Sequence, residues 1–137
     1  MTRPVAGTLV TDTDDPLVLG RLASLGARRG LSLVSPADTG PADGESPIAV
    51  VVGLESPGAV ERIAAYRLRW PTTLLAGSIR YPDQERWHGA LAAGADLVAN
   101  RGAFVAQLER ALEARSGVGG RAATIARLPV RLTERDG

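Results

Sequence analysis

The sequence predicts one α/β domain, a parallel five-stranded sheet wound with helices on both faces. Three observations carry that prediction. Short apolar, β-branched runs alternate with stretches of helical periodicity over residues 1–116, the pattern of right-handed β-α-β crossovers. One of those runs, Ile48 to Val52, is continuously apolar, as a strand covered on both faces requires. The length, 137 residues, suits a single self-sufficient core.

The elements follow in order. Val5 to Val10 reads as a buried strand ending in an acidic cluster, Asp12, Asp14 and Asp15. Asp15-Pro16 then has the form of a helix start, a carboxylate cap before a proline in the first turn. Val18, Leu22 and Leu25 recur at helical spacing as far as Gly30, a residue suited to a left-handed stop. Leu31 to Val34 is a short second strand. From Ser35 to Ser46 the chain is rich in Pro, Gly, Asp and Ser and reads as a loop with at most one helical turn. Ile48 to Val52 is the third strand. Pro57-Gly58 opens a second long helix, expected to bury Val60, Ile63, Ala64 and Leu68, and Trp70-Pro71 ends it. Thr72 to Ala76 reads as a fourth strand. A helix from Pro82 to about Gly94 should bury Trp87 and Leu91, and Asp96 to Ala99 is a brief fifth strand. Phe104, Val105, Leu108, Ala111 and Leu112 give an amphipathic last helix ending near Ser116. The architecture predicted is a flavodoxin-like, doubly wound, three-layer α/β/α sandwich. Residues 117–137 stand apart, a glycine hinge followed by an arginine-rich arm.

Composition removes several chemistries. Cysteine is absent, which excludes disulfides, thiolate metal sites and cysteine nucleophiles. A single histidine, His88, speaks against a histidine metal site or a Ser-His-Asp triad. All 16 basic residues are arginine, so no lysine exists for a Schiff base or a P-loop. A net charge of +1 gives no basic surface of the kind nucleic acids select. No stretch approaches the ~20 apolar residues that span a bilayer, and the N-terminus lacks a signal-peptide pattern. A cytoplasmic location is the expectation.

Three segments together carry a family resemblance. Asp14-Asp15-Pro16-Leu17-Val18-Leu19, Leu54-Glu55-Ser56-Pro57-Gly58 and Ala90-Leu91-Ala92-Ala93-Gly94-Ala95-Asp96 resemble, in order and spacing, the loops of response-regulator receiver (CheY-like) domains, over residues 5–115. The resemblance implies a phosphorylatable aspartate ending the third strand, acids holding Mg²⁺ beside it, a hydroxyl after the fourth strand and a lysine after the fifth. Here the acceptor position falls on Gly53 and the lysine position on Asn100. The hydroxyl position falls on Ala76, with Ser78 two residues on, and Leu97 stands where an aromatic is usual. The chain therefore reads as a degenerate receiver that lacks the phosphoacceptor.

Two sets of candidate residues follow. Asp12, Asp14, Asp15, Gly53 and Glu55 form a degenerate acidic pocket, with weak Mg²⁺ binding or plain helix capping as its uses. Ser78, Arg80, Asn100 and Arg101, at the carboxyl edge where open α/β sheets bind ligands, are candidate donors for a small anion. The leading functional expectation is a phosphorylation-independent module for a protein partner or a homodimer. Its expected face is Arg86, Trp87, Arg101, Phe104 and Arg110, an aromatic anchor rimmed by charge. The alternative is an anionic-metabolite sensor using the phosphate pocket. Catalysis ranks last, because no nucleophile-elbow or glycine-rich phosphate motif is present. His88 reads as a surface residue. The glycines at 117, 119 and 120 follow a helix rather than a strand, so they read as a hinge and not a dinucleotide fingerprint.

Overall fold

A computed structural model describes residues 7–38 and 46–117. The arm predicted beyond Gly117 and the middle of the loop between Ser35 and Ser46 lie outside the described residues. The order is β1 (Gly7–Asp12), α1 (Pro16–Arg29), β2 (Leu31–Val34), a 3₁₀ turn (Pro36–Asp38), β3 (Ala49–Gly53), α2 (Ala59–Arg69), β4 (Leu74–Ile79), α3 (Gln84–Ala93), β5 (Leu97–Asn100) and α4 (Phe104–Gly117). All strand pairs are parallel, in the order β2-β1-β3-β4-β5. Helices α1 and α4 cover one face and α2 and α3 the other. This is the doubly wound three-layer sandwich the sequence predicts. Among the described residues no helix is long and apolar enough to cross a membrane.

The local signals explain the ends of the elements. Asp15 caps α1 by accepting a bond from the Leu17 amide (3.0 Å), and Pro16 occupies the first turn. Gly30 ends that helix at φ 69°, a left-handed conformation that a Cβ would disfavour. Strands β3 and β4 are buried at every position, consistent with their place in the middle of the sheet.

Side-chain alternation divides the core. Leu9, Val51, Ala76 and Ala99 pack with Val18, Leu22, Leu25, Phe104 and Leu108 on one face. Val10, Val50, Val52, Leu75 and Val98 pack with Ile63, Trp70 and Ala90 on the other.

Four expectations are corrected. The buried stripe of α2 is Ala59 and Ile63, continued by half-buried Tyr66 and by Trp70 at its end, whereas Leu68 is 85% exposed. Tyr66 and Trp70 stack with ring centroids 5.8 Å apart at the end of this stripe. On α3 the buried residue is Ala90, and Leu91 is an exposed neighbour. Strand β4 runs from Leu74 to Ile79, three residues beyond the predicted end. At Gly77 within it a Cβ would stand 3.0 Å from a Leu54 methyl, so the glycine admits close passage of the segment after β3. Phe104 is fully buried and belongs to the core, not to an outer face.

Candidate functional site

The carboxyl edge of the sheet gathers the loops that follow β1, β3, β4 and β5. Register puts Gly53 level with Ser78, and Ser78 level with Ala99. On β4 the hydroxyl level with the end of β3 is therefore that of Ser78, two residues beyond position 76. These loops enclose a cleft of about 280 Å³ lined by Thr13, Asp14, Asp15, Gly53, Glu55, Ser56, Pro57, Ser78 and Arg80.

The three acids after β1 do not act together. Asp12, still in the strand, turns toward α2 and is held by Arg62 (Nε to Oδ2 2.7 Å) and the Tyr66 hydroxyl (2.7 Å). Arg62 also donates to the Ser56 hydroxyl and the Pro57 carbonyl. Burial, reinforced by the hydrogen bond to Asp12, pushes the Tyr66 phenol well above its ordinary value of 10.0. Because the folded-state value is raised, the stability this group contributes is complete below about pH 10 and declines as pH climbs further. A urea midpoint measured from neutral to strongly alkaline pH is expected to fall more steeply for the native chain than for Tyr66→Phe. Parallel curves would show that Tyr66 is not the titrating group.

Asp14 is exposed. Asp15 is buried, and its Oδ2 faces two arginines, Arg101 at 3.4 Å and Arg80 at 3.8 Å. A buried carboxylate demands such partners, and here they come from the loops after β5 and β4. Glu55 reaches from the loop after β3 to accept from the backbone amides of Arg80 (2.8 Å) and Tyr81 (3.4 Å). The protein's own carboxylates thus hold its edge loops together.

The four predicted anion donors are not brought together. Ser78 and Arg80 line this cleft, and Arg101 is turned to Asp15 behind it. Asn100 accepts from the Gly102 amide (3.1 Å) and lines a second cleft. That cleft, about 320 Å³, is bounded by Ile79, Pro82, Asp83, Gln84, Trp87, His88 and Asn100. The predicted interaction face is likewise divided: Arg86 pairs with Asp83 (3.4 Å), Arg101 with Asp15, and Phe104 is in the core, leaving half-buried Trp87 and exposed Arg110.

The residues present do not fit Mg²⁺. A hard cation needs several free carboxylate oxygens. Asp12 and Asp15 are engaged by arginines, Glu55 gives one oxygen to two amides, and Gly53 offers none, so Asp14 and a single Glu55 oxygen remain, and no cluster of three acidic or histidine ligands occurs among the described residues.

Two engaged residues escaped the sequence reading. Arg62 and Tyr66 carry no local signal, although an aspartate in a strand otherwise buried among apolar neighbours implies a partner. Arg67, at the opposite edge, binds the carbonyls of Gly94, Pro71 and Thr73 and the Asp96 carboxylate.

No protein-family model matches the sequence, and no curated protein does. Solved structures do. A response regulator from Thermotoga maritima superposes with a TM-score of 0.63 at 16% identity, covering 80% of this chain and 97% of that one. A CheY-like receiver domain protein from Methanospirillum hungatei JF-1 gives 0.63 at 17%, covering 84% and 99%. A response regulator from Burkholderia pseudomallei, solved with a phosphorylated aspartic acid, calcium ion and citrate, gives 0.61 at 22%, covering 91% and 76%. At these identities the likeness establishes the fold, that of receiver domains.

Proposed function

We propose that this chain is a cytoplasmic pseudo-receiver, a non-phosphorylatable and non-enzymatic module that works by binding a protein. Three features support the loss of phosphoryl chemistry. Gly53 ends β3, where the receiver resemblance puts the acceptor, no lysine exists in the chain, and Asp12 and Asp15 are engaged by arginines.

The observation that carries the binding role is the second cleft. Its lining is mostly apolar, and two of the large hydrophobic side chains most exposed among the described residues flank it. Tyr81 (63% exposed) precedes Pro82, and Leu91 lies one turn beyond Trp87 on α3. An aromatic at the centre of an apolar strip with arginine at its rim is the composition of an interface anchor. Arg86, paired with Asp83 of the cleft lining, supplies such a rim.

The first partner to test is a second copy of the chain. Native mass spectrometry of the full chain is expected to give a dimer that Trp87→Ala reduces to monomer, with the far-UV spectrum unchanged. A dimer indifferent to Trp87→Ala would remove this face from the proposal. A native chain that stays monomeric would move the test to heterologous partners, with the same substitution as control.

The anionic-metabolite sensor is the weaker reading. Both arginines near the first cleft are within ion-pair distance of Asp15.

A further inference from the structure

The first cleft has a polar inventory that neither an anion nor a cation alone would satisfy. At its floor Ser78 is only 1% exposed, and its hydroxyl has no hydrogen-bond partner among the described residues. A buried hydroxyl without a partner is destabilising, and alanine would remove the penalty at almost no change of shape. Beside it the Thr13 hydroxyl accepts from the Asp15 amide (3.2 Å), while its own proton has no acceptor among the described residues. Gly53, between these two, contributes no side chain, and Thr13 Oγ1 takes up the place that a Cβ there would fill.

The outer part carries both signs. Asp14 is exposed and unpartnered among the described residues. Glu55 binds two amides through Oε2, which leaves Oε1 to accept. Arg80, with a 40% exposed side chain, approaches Asp15 only through Nε at 3.8 Å, and its terminal N–H groups remain as donors.

We infer that this cleft binds a small zwitterion of the α-amino-acid class. The carboxylate of such a ligand is met by the Ser78 and Thr13 hydroxyls and the Arg80 guanidinium, and its ammonium by Asp14 and the free oxygen of Glu55. A lone anion would face three carboxylates, and a lone cation would leave both hydroxyl protons and Arg80 unmatched. The volume, about 280 Å³, lies just below the usual range of ligand pockets, which restricts the occupant to a small molecule. The inference is independent of the docking face on α3, since the two clefts share no lining residue.

The test is isothermal titration of the full chain with each standard amino acid, with succinate, inorganic phosphate and putrescine as single-sign comparators. At least one amino acid is expected to bind, and blocking either its amino or its carboxyl group should weaken it at least about tenfold. Ser78→Ala and Asp14→Asn are each expected to weaken it about tenfold. Ser78→Ala should melt no lower than the native chain, so that lost binding is not lost folding. Succinate, phosphate or putrescine binding as tightly as the best amino acid would overturn the inference. So would the absence of amino-acid binding at about 10 mM, a concentration that still registers a millimolar Kd as a thermal shift, or binding indifferent to Ser78→Ala.

Discussion

Gly53→Asp is expected to lower stability by about 2–3 kcal/mol and to leave the chain without a phosphoryl acceptor. A Cβ at position 53 would lie 2.7 Å from Thr13 Oγ1 and 3.2 Å from Thr13 Cβ, closer than side chains pack without one of them moving. Thr13 is not free to move, because its oxygen holds the Asp15 amide at the start of α1. The new carboxylate would also join Asp14, Asp15 and Glu55 around one small cleft, with no lysine in the chain to balance it. Urea denaturation measures the first effect, and intact-mass spectrometry after incubation with acetyl phosphate measures the second. Thr13→Ala in the same chain should restore part of the lost stability, because the pair is in contact and their effects will not add. A stable Gly53→Asp protein that gains the mass of one phosphoryl group would show that the site needs only its side chain back. The pseudo-receiver proposal would then reduce to a single substitution.

Phe104→Ala is expected to cost about 3–5 kcal/mol, the largest effect of any substitution considered. Phe104 opens α4 and is fully buried among Leu9, Val18, Leu22, Ala76 and Ala99 in the core beneath α1 and α4. Its removal leaves a cavity where two helices meet the sheet. Trp87, half-buried beside the second core, should cost roughly 1–2 kcal/mol when truncated, and its main effect should fall on assembly. The contrast separates packing from docking, which residue type alone does not. If Phe104→Ala melted within a degree or two of the native chain while abolishing dimerisation, α4 would have to open in solution. The burial of its first turn would then be a property of one state only.

Much of the architecture was legible because its causes are local. Asp15-Pro16 starts a helix by chemistry confined to two residues, Gly30 ends it by the freedom of one, and Ile48 to Val52 needs only its own apolarity to read as a central strand. Periodicity failed where neighbours in space outweighed neighbours in sequence. The stripe through Leu68 is helical in spacing, yet α2 buries Ala59 and Ile63 and continues inward through half-buried Tyr66 to Trp70, which stacks on it, so Leu68 is left outside. The fourth strand reads as ending at Ala76, yet it continues through Gly77 to Ile79, with Leu54 passing close over the glycine. Phe104 looks like a surface anchor until the sheet closes on it.

The candidate site divides along the same line. Residue identities determined what is missing there: no side chain at Gly53, and no lysine or cysteine anywhere in the chain. They also placed the acids and arginines at the loops of one sheet edge. Which acid meets which arginine was decided by tertiary structure alone. Asp12 and Arg62 are 50 positions apart and Asp15 and Arg101 are 86 apart, and a one-residue change in strand register would send each side chain to the opposite face. Chemistry is a property of each residue in the chain, but pairing is a property of the folded sheet.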